Sequence, residues 1–292
     1  MAPTINDLAA RAAALAIPGR SVGLHDGITL FSAASAENPL AMFYEPMACI
    51  VLQGEMEVTI GSTVLSYAPG TCFVGSIDLP VPGRITKASA ANPYLAISIA
   101  LSRDALADLL AEAPQVGPER GKCYAFGPVP EAVPEACARL LALQDAPDDA
   151  AVLGPMIRRE ILYRLLRGPQ AVALHRIVAS DQRLSQVRRA LTWIREHLDQ
   201  SVPIADMATC AGMSEASFRR HFRAATGMSP LQYQKTLRLQ SARRAILAGS
   251  EVARAAFAVG YESPTQFSRE YARLFGLAPM LDVKRVMRTE GA

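Results

Sequence analysis

Cysteine is scarce in this chain, and its spacing excludes two kinds of cross-linked fold. There are five cysteines, an odd number, and no two of them form a Cys-x-x-Cys pair. A disulfide framework needs paired cysteines in an oxidising compartment, and a zinc site needs closely spaced ligands. We therefore expect reduced thiols. The five are Cys49, Cys72, Cys123, Cys137 and Cys210.

Long apolar runs are also missing. The longest apolar stretch, at 94–101, is far shorter than the about 20 residues that span a bilayer. The N-terminal segment has no long apolar core behind a basic start, so it is not a signal peptide. It predicts a short amphipathic helix that ends near Pro18 and Gly19. We expect a cytoplasmic protein without a membrane partner.

Charge is distributed unevenly along the 292 residues, a length typical of two domains. From Asp181 onward there are 17 Lys and Arg against 10 Asp and Glu, a net charge of +7, whereas the preceding part carries −4. A basic part joined to an acidic part is typical of one module that binds a polyanion and one that does not.

A repeated segment organises the basic part. The first copy, Ile204 to Pro230, reads IADMATCAGMSEASFRRHFRAATGMSP, and the second copy, Val252 to Pro279, reads VARAAFAVGYESPTQFSREYARLFGLAP. The offset is 48 before the central glycine and 49 after it. One residue has therefore been added in the turn, where insertions cost least.

Each copy predicts two short helices separated by a turn. The central glycine can take the left-handed conformation that ends a helix. Ser214 and Ser263 stand where the second helix needs an N-cap. Large apolar residues recur four positions apart in each second helix and mark its core face. They are Phe218 and Phe222 in the first copy, and Phe267 and Tyr271 in the second. This pattern predicts two helix-turn-helix motifs, each with a second helix that can enter a major groove.

The segment between the copies has apolar residues at helical spacing behind Ser229 and Pro230. We interpret it as one rigid helix. Two recognition helices on such a connector can meet successive major grooves, about 34 Å apart, on one face of DNA.

At these residues the chain resembles the AraC/XylS family of bacterial transcription regulators. The motifs that carry the resemblance are GMSEASFRRHF, TGMSPLQYQ, LRLQSARR and VGYESPTQFSREYARLFG, within 182–282. The resemblance implies that Ala216, Arg219 and Arg220 read bases, and an arginine there can donate two hydrogen bonds to guanine. The expected DNA contacts are Ala216, Ser217, Arg219, Arg220, Arg223, Pro264, Thr265, Gln266, Ser268 and Arg269. The expected phosphate contacts are Arg223, Arg273, Lys235 and Arg243.

The acidic part, from about Val22 to Leu101, is typical of short strands between Gly and Pro turns. Such strands predict a small barrel or jelly roll that can enclose one ligand. The motifs that follow one another here are VLQG at 51–54, TIG at 59–61, YAPG at 67–70, DLPVPG at 78–83 and NPYLAISI at 92–99. Their order resembles the cupin-like N-terminal sensor of one AraC/XylS subgroup. The predicted fold class is therefore α+β: an N-terminal cupin-like small β-barrel (22–101) with flanking helices (103–167), then an all-α domain carrying two helix-turn-helix motifs. The predicted domains are 1–175, for sensing and dimerisation, and 181–292, for DNA.

Inward residues of the barrel are expected to meet a small-molecule effector. Arg84 has the most specific chemistry, because its guanidinium can fork onto a carboxylate or phosphate. The alternative is a surface residue that follows the turn at Pro82 and Gly83. Cys49 and Cys72 are sensors only if their thiolates are favoured and exposed, and are otherwise small core residues. The ligand-binding candidates are Phe43, Tyr44, Glu45, Met47, Cys49, Arg84, Thr86 and Tyr94.

A metal-dependent cupin enzyme is not expected. Its metal needs closely spaced histidines and a carboxylate. His25 is the only histidine in the predicted barrel. We expect no metal, no cofactor and no catalytic residue, so the protein is predicted not to be an enzyme.

An apolar stripe follows in the predicted helix at 153–167. Its members are Leu153, Met156, Ile157, Ile161 and Leu165. The resemblance implies that this region dimerises the protein. The alternative is that the stripe packs on its own barrel, and the two are compatible.

The expected function is sequence-specific transcription regulation. The expected partners are double-stranded promoter DNA, RNA polymerase, a small-molecule effector and a second copy of the chain. Two alternatives remain open. One is a DNA-binding regulator whose barrel only dimerises or senses through cysteine. The other, with less support, is a metal-dependent cupin enzyme.

Overall fold

The computed structural model describes residues 3–35, 40–112, 122–178, 181–200 and 202–290. Ten strands fall in its first half. They are β1 (Ser21–His25), β2 (Ile28–Ala33), β3 (Leu40–Tyr44), β4 (Met47–Gln53), β5 (Glu55–Ile60), β6 (Thr63–Tyr67), β7 (Thr71–Gly75), β8 (Leu79–Lys87), β9 (Tyr94–Ala100) and β10 (Tyr124–Pro128).

The strands form two antiparallel sheets, called here the sheet domain. The larger has the order β1-β2-β9-β4-β7-β10 and the smaller has the order β3-β8-β5-β6. The predicted α+β class is confirmed, but the barrel is not closed: in the described part of the chain, no strand pair joins the two sheets. Consecutive strands such as β3 and β4 lie in different sheets, so the hydrogen-bonded ladder ends at each crossing and the sheets stack instead.

Three strands lack a clear sequence signal. β1 and β3 are short. β10 lies within the region from Pro114 to Pro134, where frequent Pro and Gly predict a loop; residues 114–121 of this region lie outside the described chain. All five residues of β10 pair with β7. The segment ITKAS at 85–89 predicts a strand, but β8 begins six residues earlier, at Leu79. Its prolines Pro80 and Pro82 lie in the half that pairs with β3 alone. A partly unpaired strand tolerates the missing amide donors.

Helices cover one face of the larger sheet. They are α1 (Ile5–Leu15), α2 (Arg103–Glu112), α3 (Val133–Ala142), α4 (Pro147–Leu166) and α5 (Ala171–Val178). Thr4 and Asp7 form a capping box at the start of α1. Leu30, Ile50 and Ile97 of the sheet pack with these helices in one buried cluster. The opposite face, with Cys49, Phe73 and Tyr94, packs on the smaller sheet.

The basic part is helical. Its helices are α6 (Gln182–Glu196), α7 (Ile204–Ala211), α8 (Glu215–Thr226), α9 (Pro230–Leu247), α10 (Val252–Ala258), α11 (Pro264–Phe275) and α12 (Pro279–Glu290). We call α7 with α8 the first unit, and α10 with α11 the second unit. The boundary predicted between 175 and 181 falls at the end of α5. Within the described ranges, no helix combines the length and apolarity needed to cross a membrane.

Candidate nucleic-acid interface

The first unit has the geometry that its sequence predicts. Gly212 ends α7 with φ of 64°, a left-handed conformation that a side chain would strain. The Ser214 hydroxyl accepts a hydrogen bond from the Ser217 amide (3.4 Å) and caps α8. Phe218 and Phe222 are fully buried, with their rings 5.3 Å apart. Burial of this face turns the other side of α8 outward.

The predicted DNA contacts of α8 lie on that outward side. Ala216, Arg219, Arg220 and Arg223 are exposed, and Ser217 is half-buried. Arg219 pairs with Glu215 one turn away (3.2 Å), and both side chains are about half exposed. Because such a pair is worth little in water, it leaves Arg219 available to a base or phosphate.

The second unit repeats this arrangement. Ser263 caps α11 by accepting from the Gln266 amide (3.3 Å), and Pro264 occupies the first turn. Phe267 and Tyr271 are fully buried. Thr265, Gln266 and Arg269 are exposed, whereas Pro264 and Ser268 are half-buried. Both recognition helices therefore present the residues that the sequence selected, while the about 34 Å spacing stays a prediction.

The predicted phosphate contacts divide into two pairs. Arg223 and Arg273 are exposed. Lys235 of α9 instead donates to Glu270 of α11 (3.0 Å). Arg243 is wrong as a phosphate contact, because it is only 7% exposed and forms an ion pair with fully buried Asp282. Its charge already serves the packing of α9 on α12.

The predicted effector residues do not lie together. Tyr44, Cys49 and Tyr94 are buried between the sheets, and Met47 lies half-buried beside them. Arg84, Thr86 and Glu45 are exposed, so the expectation that they point inward is wrong. Arg84 lies on the outer face of the smaller sheet and donates two hydrogen bonds to Glu57, at 2.9 and 2.7 Å. Neighbouring residues of a strand face opposite sides of the sheet, so a shift of one residue decides whether a side chain points inward or outward.

Comparisons with known proteins agree with this architecture. The AraC-type transcriptional regulator N-terminus matches residues 25–173, and a helix-turn-helix domain matches residues 207–282. The first of these matches covers more than half of the chain. The chain belongs to the AraC family.

Several relatives of this AraC-family chain carry regulatory names. It is 31% identical over 100 residues to the MmsAB operon regulatory protein of Pseudomonas aeruginosa, covering 34% of this chain and 33% of that protein. It is 32% identical over 125 residues to a putative AraC-like transcription regulator of Streptomyces lividans, covering 42% and 40%. These matches thus span less than half of each relative's own length.

Solved structures share the fold at low identity. An apo variant of ToxT from Vibrio cholerae matches with a TM-score of 0.59 at 8% identity, over 88% of this chain and 97% of that one. A second ToxT structure, described as bound to an unsaturated fatty acid, matches with a TM-score of 0.53 at 7% identity, over 88% and 94%. At such identities the likeness shows the fold alone.

In this AraC-family chain the segment between β7 and β8 docks the sheet domain on α6 and α9, the two helices that pack beside the first unit. Asp78 forms an ion pair with Arg195 of α6, and its carbonyl accepts from the Tyr233 hydroxyl of α9 (3.2 Å). The Arg195 guanidinium also lies 5.3 Å from the ring centre of Phe43, a predicted effector residue that is half-buried at this contact. Arg188 of α6 donates to the carbonyl of Ser76 (3.5 Å).

The turn between β5 and β6 reaches the C-terminal end of α8. A Cβ built on Gly61 would overlap the carbonyl oxygen of Gly227, so the two backbones pass in direct contact. Gly61 also has φ of 63°, which disfavours any side chain. The amide of Cys123, just before β10, adds a hydrogen bond to the Ala225 carbonyl (3.4 Å). The sheet domain is therefore in contact with the first recognition helix itself.

Sequence reasoning missed these docking residues. Asp78 lies in DLPVPG and Gly61 in TIG, two motifs of the cupin-like resemblance, but the resemblance gave neither residue a role in docking. Only the meeting of distant segments gives them a role.

The predicted dimerisation stripe divides along α4. Ile157, Ile161 and Leu165 are buried against the sheet domain and form part of its core. Leu153 and Met156 are 41% and 62% exposed, and Val152 beside them is 65% exposed. Only the N-terminal half of the stripe is thus available to another chain.

Proposed function

We propose that the chain binds promoter DNA with α8 and α11, and that a small molecule held between the two sheets changes how the sheet domain docks on the first unit. The observation that carries the proposal is that Asp78, Gly61 and Cys123 join the sheet domain to α6, α8 and α9. A shift between the sheets is thereby transmitted to a recognition helix.

The interior between the sheets supports a neutral effector. The Tyr94 hydroxyl is fully buried and has no hydrogen-bond partner in the described chain. The buried hydroxyls of Tyr44 and Tyr67 lie beside each other, and that of Tyr44 also lies 3.7 Å from the sulfur of Met42. Such hydroxyls favour a ligand or water with acceptor oxygens.

The charge distribution disfavours an anionic group deep between the sheets. Among the described residues, the only buried charged side chains are those of Arg243 and Asp282, which lie in the helical part. A carboxylate between the sheets would be desolvated without a partner. The effector that fits is therefore an uncharged molecule with carbonyl or hydroxyl oxygens, unlike the fatty acid named for ToxT.

A cysteine-based sensor has less support. Burial raises the pKa of Cys49 to about 12 and also raises the pKa of Cys72. Their thiolates are therefore disfavoured in this state, whereas oxidation needs a thiolate.

We expect a second copy of the chain to cover the exposed apolar patch, which consists of Val152, Leu153 and Met156. Along α4, Asp148 and Asp149 lie on the N-terminal side of this patch, whereas Arg159 and Arg164 lie on its C-terminal side, paired with Glu112 and Glu160. Antiparallel pairing of two α4 helices brings opposite charges together around the apolar patch. A dimer would bring four recognition helices to promoter DNA, where the regulator would act through RNA polymerase.

Selection from a random-sequence DNA library tests the DNA-binding part. The full chain should enrich one sequence with two conserved segments, and Arg220→Ala should cost about 1–3 kcal/mol and relax the preference within one segment. Enrichment of no sequence, or an equal loss on random DNA, would contradict base reading.

Thermal unfolding of the full chain with neutral and acidic metabolites tests the sensor. A saturable rise in Tm with an uncharged alcohol, ketone or ester is expected, and Tyr94→Phe should reduce it. A rise only with carboxylates, unchanged in Tyr94→Phe, would contradict the site between the sheets.

A further inference from the structure

A buried ionic cluster joins three helices around the second unit. The carboxylate of Asp282 in α12 accepts from Arg243 Nε (2.6 Å) and Nη2 (3.3 Å), from the Tyr271 hydroxyl (2.7 Å) and from Arg285 (2.6 Å). Asp282 and Tyr271 are fully buried. The Arg243 guanidinium also lies 5.3 Å from the ring centre of Phe275. The connector α9, the recognition helix α11 and α12 thus meet at one carboxylate.

The internal repeat shows that this cluster is specific to the second unit. At the offset of 49, Asp282 corresponds to Tyr233 and Tyr271 corresponds to Phe222. The rings of Phe222 and Tyr233, the counterparts in the first copy of the repeat, contact each other with their centres 5.4 Å apart. The buried residues of α6 and of α9 have the same spacing along the helix, with Ala190 at the position of Ala242. In this alignment Leu191 of α6 corresponds to Arg243 of α9. An apolar group in one unit is replaced by hydrogen-bonded and charged groups in the other.

The two kinds of contact constrain a helix differently. Apolar packing has little directionality, whereas a carboxylate that accepts four hydrogen bonds fixes the positions of its donors. Burial of the Asp282 carboxyl group opposes its ionisation, but hydrogen bonds from Arg243 and Tyr271 and the charges of Arg243 and Arg285 outweigh burial and lower its pKa. The cluster is therefore ionised at neutral pH.

The position of Tyr271 on α11 makes this constraint relevant to DNA. Arg269 precedes Tyr271 by two residues, which places the two side chains on opposite sides of a helix with 3.6 residues per turn. A bond that holds Tyr271 inward therefore sets the direction in which Arg269 points outward. Adjacent Glu270 is bonded to Lys235 (3.0 Å) and to the Tyr261 hydroxyl (2.8 Å), which fixes α11 from a second side.

We propose that Asp282 is the positioning residue of the second recognition helix: it holds Arg243 and Tyr271 so that α11 keeps the rotation in which Thr265, Gln266 and Arg269 read bases. This inference rests on the proposed DNA-binding function. It predicts that the two units depend on different chemistry for their base preference.

The experiment compares base discrimination at two DNA segments. The wild-type chain first selects its duplex from a random-sequence library, and Arg220→Ala and Arg269→Ala assign one segment to each unit. Discrimination is the ratio of the Kd for a duplex with one segment scrambled to the Kd for the intact duplex. If the wild type selects no such duplex, the proposed function fails before the role of Asp282 is reached.

Asp282→Asn should lower discrimination at the second segment by about tenfold or more and leave the first within about twofold. The ratios are measured at a temperature where helical content by circular dichroism equals that of the wild type. Under that condition a loss of stability alone leaves discrimination unchanged, because the bound chain is folded. Unchanged discrimination at the second segment, or an equal loss at both, would overturn the proposal.

Two further variants keep the test decisive. Tyr271→Phe retains the ring and the ion pair but removes one bond, so it should lower discrimination at the second segment by about threefold; it carries the test if Asp282→Asn does not fold. Glu57→Gln is the matched control, since it makes the same acid-to-amide change in the exposed pair with Arg84. It should change neither ratio, and discrimination in Tyr271→Phe equal to that of Glu57→Gln would also overturn the proposal.

Discussion

The two helix-turn-helix units have the same backbone design but different supports. The first unit has an apolar core of Phe218, Phe222 and Tyr233, and its outer end is in contact with the sheet domain. The second unit is held by Asp282 and Glu270, whose bonds lie within the helical part. The sheet domain therefore contacts one recognition helix directly, while the other is fixed by charges close to it.

With two supports of different kinds, one chain can bind DNA and still respond to a signal. A unit that shares its core with a sensor changes when the sensor changes. A unit with its own ionic cluster keeps its geometry. We expect the second unit to anchor the chain on DNA and the first unit to carry the response.

Loss of the apolar core should affect the first unit most. Phe222→Ala removes a fully buried ring that contacts Phe218 and Tyr233. Such truncations cost about 3–5 kcal/mol. Chemical denaturation should show this loss, and footprinting should show protection of the second segment alone. An equal loss of protection at both DNA segments would mean that the two units do not fold separately.

Separation of the sheet domain from α8 should have the next largest effect. Gly61→Ala places a Cβ against the Gly227 carbonyl and strains a left-handed residue, at a cost of about 1–3 kcal/mol. Hydrogen exchange should speed up at the amides of Cys123 and Gly227. Gly19→Ala is the matched control, because Gly19 also has a positive φ of 72° but has open space around it.

Acid should act with opposite signs on the second unit and on the contact of the sheet domain with α6 and α9. The pKa of Asp282 is lower in the folded chain than in the unfolded chain. Its contribution to the free energy of unfolding is therefore fully present above the unfolded-state pKa, and it is lost as the pH falls through the folded-state pKa. The pKa of Asp78 is raised, chiefly by burial against the partial compensation of Arg195 and Arg188, with Glu45 adding to the rise. The contribution of Asp78 to the free energy of unfolding is therefore greatest below its unfolded-state pKa, about 3.9. This contribution is lost as the pH rises through its folded-state pKa.

Acidification toward that pH should thus favour docking of the sheet domain before it weakens the second unit. Residue-level hydrogen exchange across the acid range measures both. Parallel loss of protection in α8 and α11 would contradict this difference.

The smallest effect is expected outside both units. Arg84→Gln breaks an exposed ion pair with Glu57 and should cost less than about 0.5 kcal/mol. DNA binding and any ligand-induced rise in Tm should stay the same. Loss of the ligand effect would return Arg84 to the effector site and contradict the neutral interior.

The repeat made the helical half predictable. Capping serines, turn glycines and apolar residues four apart are local signals, and each fixed an element that the structure contains. The strands were predictable where apolar runs were long, as in β4 and β9, and not where an element had a weak pattern, as in β10. The effector residues were harder, because a strand pattern shows that neighbours face opposite sides without showing which side is inside.

The two helix-turn-helix units and their outward residues could be predicted from the sequence, because they depend on contacts within a few turns of chain, and the division into a basic and an acidic part is a matter of composition. Which charged side chains are exposed and which are buried in ion pairs depends on the packing of the folded chain. The sequence pattern around Arg84 and Arg243 does not distinguish the two. Arg84 is exposed and paired with Glu57, whereas Arg243 is buried and paired with Asp282. Partners 27 and 39 residues away are brought together by packing of the whole domain, which no local pattern encodes.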